Sequence, residues 1–208
     1  MAQTDAKTIE NLKAEVSRLK ELLRISDDSL KASQDEVLRL STIDPLTGVS
    51  NRRHFMDLAD QEISRARRYR RPLAVISIAV DNFKAVNEIH GSEAGDRVLA
   101  AMGDAARKTL RTIDVIGRTA GTELTVLLPE TEQDGTEILA QRLCDDLSES
   151  AAATLTGEPI PTMSVGATHF VREDVIFDTT IQRADQAMEE AHDAGGNRMI
   201  YKPAFDED

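Results

Sequence analysis

The apolar positions change period several times along the chain, and each change marks an element. Residues 4–41 contain neither Gly nor Pro, and their apolar residues recur at alternating steps of three and four through Ile9, Leu12, Val16, Leu19 and Leu23, then Leu30, Val37 and Leu40. That spacing is the a/d seam of a heptad repeat, with Ser26 and Ser33 weakening the d positions of its second half. A narrow seam with charges around it favours self-association in a parallel dimer over a lone helix folded back on the domain. Asp44-Pro45-Leu46-Thr47-Gly48 ends the helix, because Pro45 disfavours helix at Asp44 and Gly48 suits a turn. A second helix is predicted from Asn51 to Arg70, ending in the basic run RARRYRR, whose arginines complement the negative end of the helix dipole. LAVISIAV, Leu73 to Val80, reads as a central strand covered on both faces.

Past that strand the pattern predicts a loop around IHGSEAGD and a helix from about Asp96 to Leu110. RTID and a β-hairpin from Arg118 to Pro129 follow, with its tip at Ala120-Gly121-Thr122-Glu123. Helices at about 133–148 and 179–194 then bracket the strand TMSVGATHF, and RMIYK closes the chain as a strand. The alternation, with a hairpin in the middle, implies an α/β sheet of mixed direction.

Composition narrows the function classes. The 208 residues suit one domain plus an appendage, divided here as a coiled-coil helix over 1–41 and a domain over 42–208. A formal charge of -12 argues against general nucleic-acid binding or attachment to an anionic membrane. The longest apolar run is far shorter than the roughly 20 residues of a membrane span, so a cytoplasmic protein is expected. Cys144, the single cysteine, reads as a small buried apolar residue. His54, His90 and His169 lack metal-ligand spacing and read as surface or turn residues.

Five segments carry a resemblance. DPLTGVSNRRHF resembles the opening DxLTGLxNRR motif of the GGDEF family, the diguanylate cyclase domain; AVDNFKAVNEIHGSEAGDRVL resembles its DxDxFKxxNDxxGHxxGDxxL; and GRTAGTELTVLLPET resembles RxGGDEFxxLLPxT. SVGAT and RADQAMEEAHDAGGNRM resemble its closing segments. The resemblance covers about residues 42–202 and implies a nucleotide-cyclase-palm-like fold, a central mostly antiparallel sheet surrounded by helices, with the N-terminal coiled coil acting as a signalling helix.

Active members of the family condense two GTP molecules into cyclic di-GMP, and that chemistry asks for carboxylates that hold Mg²⁺. The resemblance puts Ala79 and Thr122 at the two metal-ligand positions, and His192 and Gly196 where Lys and Arg would face the phosphates. Neither a methyl nor a single hydroxyl supplies the charge Mg²⁺ requires on giving up water. Ala120 replaces the first tip glycine, where a Cβ hinders backbone approach if the position needs φ > 0. Asn87 and Asp96 match the guanine-edge readers, with loop and helix capping as the alternative. Asp81 and Glu123 match the remaining strand-end and tip carboxylates beside Gly121; on a continuing strand Asp81 shares a face with Ala79, but a rescue of metal binding from there would have to compensate for two lost ligands and two lost cations together. Arg111 and Asp114 match the family's inhibitory-site motif RxxD, with Arg142 as its auxiliary arginine; the alternative is a surface i,i+3 ion pair. In such a site Arg forks onto phosphate or guanine acceptors while Asp accepts from guanine donors.

The combined expectation is a degenerate domain without cyclase activity and with no required cofactor. It dimerises through residues 4–41, binds cyclic di-GMP at Arg111, Asp114 and Arg142, and passes the change to a signalling protein. A weak residual cyclase resting on Asp81 and Glu123, and a nucleotide-independent dimeric scaffold, are the rival expectations.

Overall fold

The computed structural model describes Lys13, residues 15–27, Ser29, Lys31, residues 42–174 and residues 176–204. The backbone divides into two compact units, Met1–Ser41 and Thr42–Asp208. In the first unit the described residues are helical, and the seam residues Val16, Leu19 and Leu23 are exposed. Ile9, Leu12, Leu30, Val37 and Leu40 lie outside the described residues.

The second unit is a six-stranded sheet with helices on both faces. Its elements in chain order are β1 (Ser50–Asn51), α1 (Arg52–Tyr69), β2 (Leu73–Val80), α2 (Phe83–His90), α3 (Ser92–Thr109), β3 (Val115–Ala120), β4 (Glu123–Pro129), α4 (Gln133–Ala152), β5 (Met163–His169), α5 (Phe177–Asp193) and β6 (Arg198–Tyr201). The strand order is β1-β3-β4-β2-β5-β6. The three inner pairings are antiparallel and the two edge pairings, β1 with β3 and β5 with β6, are parallel.

Alternation along β2 sorts the core into two layers. Ala74, Ile76, Ile78 and Val80 face a cluster with Val98, Met102, Leu143 and Leu147 of α3 and α4, while Leu73 and Val75 face Phe55, Ile63, Phe177 and Ala184 of α1 and α5. Asn51 starts α1 by accepting from the His54 amide at 2.9 Å. Arg70 stops it in the left-handed region (φ 56°), two residues before Pro72.

The structure corrects three sequence expectations here. α2 takes a stretch to which the sequence pattern assigned no element, together with Ile89 and His90 of the segment read as loop; its single buried residue is Val86, and eight residues give too weak a period to stand out. α3 begins at Ser92 rather than near Asp96, because Gly95 sits inside the helix against Phe83 and Asn87. His169 is neither a surface nor a turn residue: it ends β5, half buried, and its ring bonds Tyr201 and Thr131.

Candidate functional site

β3 links the two places where sequence put chemistry, since it runs from the RTID segment to the hairpin tip. At the tip β3 and β4 are joined by Gly121-Thr122, with a register shift between Arg118 and Ala120. Neither Ala120 nor Gly121 is among the residues of positive φ, and a Cβ at 121 would meet nothing within 4 Å. The irregularity before the tip lets the chain turn without a primed turn, so the expected steric hindrance at Ala120 does not arise. Arg118 braces the tip: its Nε and Nη2 donate to the Gly121 carbonyl at 3.1 and 2.6 Å, and Nη1 reaches both oxygens of Asp44 at 3.2 and 3.3 Å. Asp44 also accepts from the amide and hydroxyl of Thr47. Burial pushes the Asp44 carboxyl up, but these bonds and the Arg118 charge outweigh it and hold it below the usual range. Arg118 and Asp44 were missed as candidates, although the Arg of RxGGDEF and the Asp of DxLTG were the available signals.

Glu123 pairs with Ala79 across β2 and β4, on the face that carries Ser77 against Asp185 of α5. It lines a hollow of about 270 Å³ with Arg52, Ala120, Asp178 and Asp185. Burial pushes the Glu123 carboxyl up, and the charges of Asp185 and Glu189 push it further against Arg52. Asp185, which accepts from the Ser77 hydroxyl at 2.6 Å, is raised by the same burial and by Glu189.

Asp81 is elsewhere. β2 ends at Val80, and Asp81 turns into a sealed network: it is 2% exposed and accepts from Ser164 Oγ at 2.6 Å, Thr162 Oγ1 at 2.7 Å, the Asn197 amide at 2.9 Å and His192 Nδ1 at 2.9 Å. Burial raises its pKa, but these hydrogen bonds together leave it lowered. The expected sharing of a face with Ala79 therefore fails, because the strand stops first and the carboxylate is already saturated. Gly196 belongs to the same network. Its φ is +70°, and a Cβ there would lie 2.6 Å from Asp81 Cγ. The donor set that Mg²⁺ would need does not fit: the two positions assigned to it carry a methyl and a hydroxyl, and the carboxylate nearest in sequence to Ala79 is consumed. Among the described residues no group of three or more His, Cys, Asp or Glu could hold a metal ion.

Neither Asn87 nor Asp96 lines the hollow that holds Glu123. The Asn87 Oδ1 is turned inward toward Gly95 and has no hydrogen-bond partner, and Asp96 is exposed on α3.

Arg111, Asp114 and Arg142, by contrast, line one cavity of about 250 Å³ with Thr109, Thr131, Gly135, Ile138 and Leu139. The alternative of an Arg111–Asp114 side-chain ion pair is not what forms: Asp114 Oδ2 accepts from the Arg111 backbone amide at 2.8 Å, and the Asp114 amide donates back to the Arg111 carbonyl at 3.1 Å. The motif is thus a closed turn that leaves the Arg111 guanidinium out of it. Arg142 donates to the Thr109 carbonyl at the end of α3 at 2.6 Å. Burial pushes the Asp114 carboxyl up, opposed by the Arg111 amide bond and charge.

No helix among the described residues is long and apolar enough to cross a membrane.

Comparison with known proteins agrees with this architecture. The family model described as "Diguanylate cyclase, GGDEF domain" matches residues 41–198. Diguanylate cyclase DgcP of Pseudomonas aeruginosa is 36% identical over 157 residues, 75% of this chain and 23% of its own. The chain spans about a quarter to two-fifths of the length of the curated relatives it matches first. Among solved structures, the diguanylate cyclase SiaD in complex with its activator SiaC, also from Pseudomonas aeruginosa, superposes with a TM-score of 0.69 at 29% identity, covering 96% of this chain and 78% of that one. A microbial GGDEF domain solved for its interaction mode with bis-(3′,5′)-cyclic di-GMP superposes at 0.67 with 26% identity, covering 80% and 99%. By sequence over three quarters of its length, and by a shared mixed sheet under flanking helices, this chain belongs to the GGDEF family.

Proposed function

We propose that this protein is a GGDEF-domain receptor for cyclic di-GMP without cyclase activity. The observation that carries the reading is the convergence of Arg111, Asp114 and Arg142 on one cavity, in a chain whose metal positions hold Ala79 and Thr122. The Arg111 guanidinium supplies a planar fork of donors for a phosphate or a guanine edge. The Asp114 carboxylate supplies acceptors for guanine N1 and N2. A cavity of about 250 Å³ is small for a whole cyclic dinucleotide, so one guanylyl half enters and the other stays free to meet a second domain. Residues 4–41 form a parallel coiled-coil dimer, which carries the change through the Asp44 to Gly48 turn to a signalling protein. SiaD, whose structure was solved with its activator SiaC, offers a precedent among relatives for such a partner.

A residual cyclase is disfavoured by the chemistry at Asp81 and Gly196, where a saturated carboxylate fills the space an arginine side chain would have to leave. Calorimetric titration with cyclic di-GMP tests the receptor reading: wild type is expected to bind and Arg111→Ala to lose binding. No heat from the wild type would remove the claim. Incubation with GTP and Mg²⁺ or Mn²⁺ is expected to give no cyclic di-GMP, and a product that disappears in Glu123→Ala would restore the enzyme reading.

A further inference from the structure

One wall of the Arg111 cavity is the segment from Thr131 to Arg142, the loop after β4 and the first turns of α4. That wall is tight: a Cβ on Gly135 would stand 3.2 Å from the Thr131 methyl, so a shift of Thr131 moves the surface that faces the ligand. Behind it lies His169. Its Nε2 is 3.0 Å from the Thr131 carbonyl oxygen and 3.3 Å from Thr136 Oγ1, and its Nδ1 is 3.0 Å from Tyr201 Oη. A carbonyl only accepts, so Nε2 carries the hydrogen. Thr136 Oγ1 donates its own hydrogen to the Glu132 carbonyl at 3.0 Å and offers a lone pair to the same N–H. In the neutral ring Nδ1 then accepts from the Tyr201 hydroxyl. Burial lowers the His169 pKa against the Thr131 bond and the charges of Glu132 and Glu137, which keeps the ring in that neutral form.

We propose that His169 is a positioning residue for cyclic di-GMP binding, a strut between Tyr201 of β6 and the Thr131–Thr136 wall that holds Thr131, Gly135 and Arg142 at the spacing the ligand needs. This rests on the receptor reading above. From the end of β5 the strut joins the ligand cavity to the last strand of the sheet, through Nε2 to Thr131 and Thr136 and through Nδ1 to Tyr201. Supporting groups of this kind fix contact residues to within about half an ångström, and losing one loosens a site without unfolding its scaffold.

The two amide isosteres of histidine separate the strut's ends. His169→Gln keeps a donor at the Nε2 position, toward Thr131, whereas His169→Asn keeps a group only at the Nδ1 position, toward Tyr201. Titration of the full chain with cyclic di-GMP is expected to give the Gln variant, which loses only the Tyr201 anchor, a Kd about threefold weaker than wild type and the Asn variant a Kd at least about tenfold weaker, in keeping with supporting-shell losses elsewhere. Equal affinities in the two variants would overturn the proposal. Should His169→Asn fail to fold, Tyr201→Phe, which keeps the ring and removes the anchor, is expected to weaken binding about threefold or more, and wild-type affinity there would overturn it. Arg111→Ala in the same series keeps the two claims apart: loss of binding in Arg111→Ala with equal Gln and Asn affinities sinks the strut alone. If the wild type takes no cyclic di-GMP, the receptor reading falls, and the strut is judged by amide exchange over residues 131–136. Exchange is then expected to be about tenfold faster in the Asn than in the Gln variant, and equal rates would overturn it.

Discussion

Asp81 illustrates how one side chain changes meaning with its surroundings. By motif it matches the second Asp of the family's strand-end segment; by contact it ties the end of β2 to β5, α5 and the approach to β6, with four hydrogen bonds and no room left for a cation. Gly196 completes that lock, because only a residue without a Cβ takes φ +70° against the carboxylate. Gly196→Arg is therefore expected to destabilise the domain by about 3 kcal/mol or more, from left-handed backbone strain plus displacement of a buried charge network, read by urea denaturation. Glu123 behaves in the opposite sense. Its folded pKa is raised, so its contribution is full below the unfolded value and is lost as pH rises through the folded one. Glu123→Gln should accordingly gain about 1 kcal/mol or less at pH 7, and the gain should vanish near pH 4. Thermal melts at the two pH values check both the sign and its disappearance.

At the scale of elements, the hairpin tip is held from outside rather than by its own turn chemistry. Arg118 spans from the Gly121 carbonyl to Asp44, and Arg52 donates to the Thr119 carbonyl at 2.7 Å, so Asp44 and Arg52, 74 and 67 positions from their partners, help fix one two-residue turn. The Arg118–Asp44 pair is mostly shielded, which makes removing one partner costly. Arg118→Ala is expected to cost about 1–3 kcal/mol and to speed amide exchange at residues 119–122 while leaving α4 unchanged. Unaltered exchange at the tip would mean that β3 and β4 hold it unaided. α2 makes the complementary point. Eight residues with one buried side chain lack a readable period, and Asn82 before it adopts φ 54° without a side-chain cap, so its helicity comes from Val86 reaching the core shared with α3.

For the whole molecule the expectation is a dimer that responds to ligand. A ligand that binds only the folded state at a hundredfold excess over its Kd stabilises by about 2.7 kcal/mol, which for a chain of this size raises Tm by about 5–10 °C. Cyclic di-GMP is expected to do this for wild type and not for Arg111→Ala. Replacing the seam residues Leu19 and Leu23 by Asp should halve the mass seen by light scattering while the melt of the domain, which has its own core, stays in place.

The sequence by itself determined the family, the central strand and the hairpin, because β2 is apolar on both faces and the motif residues sit at fixed spacings along single elements. It also determined what the metal positions contain, since residue identity needs no coordinates. Only the tertiary structure decided that Asp81 and Gly196 form a closed lock, that Asn87 points inward, that Arg118 reaches Asp44 across 74 residues, and that His169 stands behind the wall facing Arg111. Each of these depends on where strands end and on which side chains from distant segments arrive at the same place. Hydrogen bonds between residues 32 to 116 positions apart leave no periodic trace in sequence.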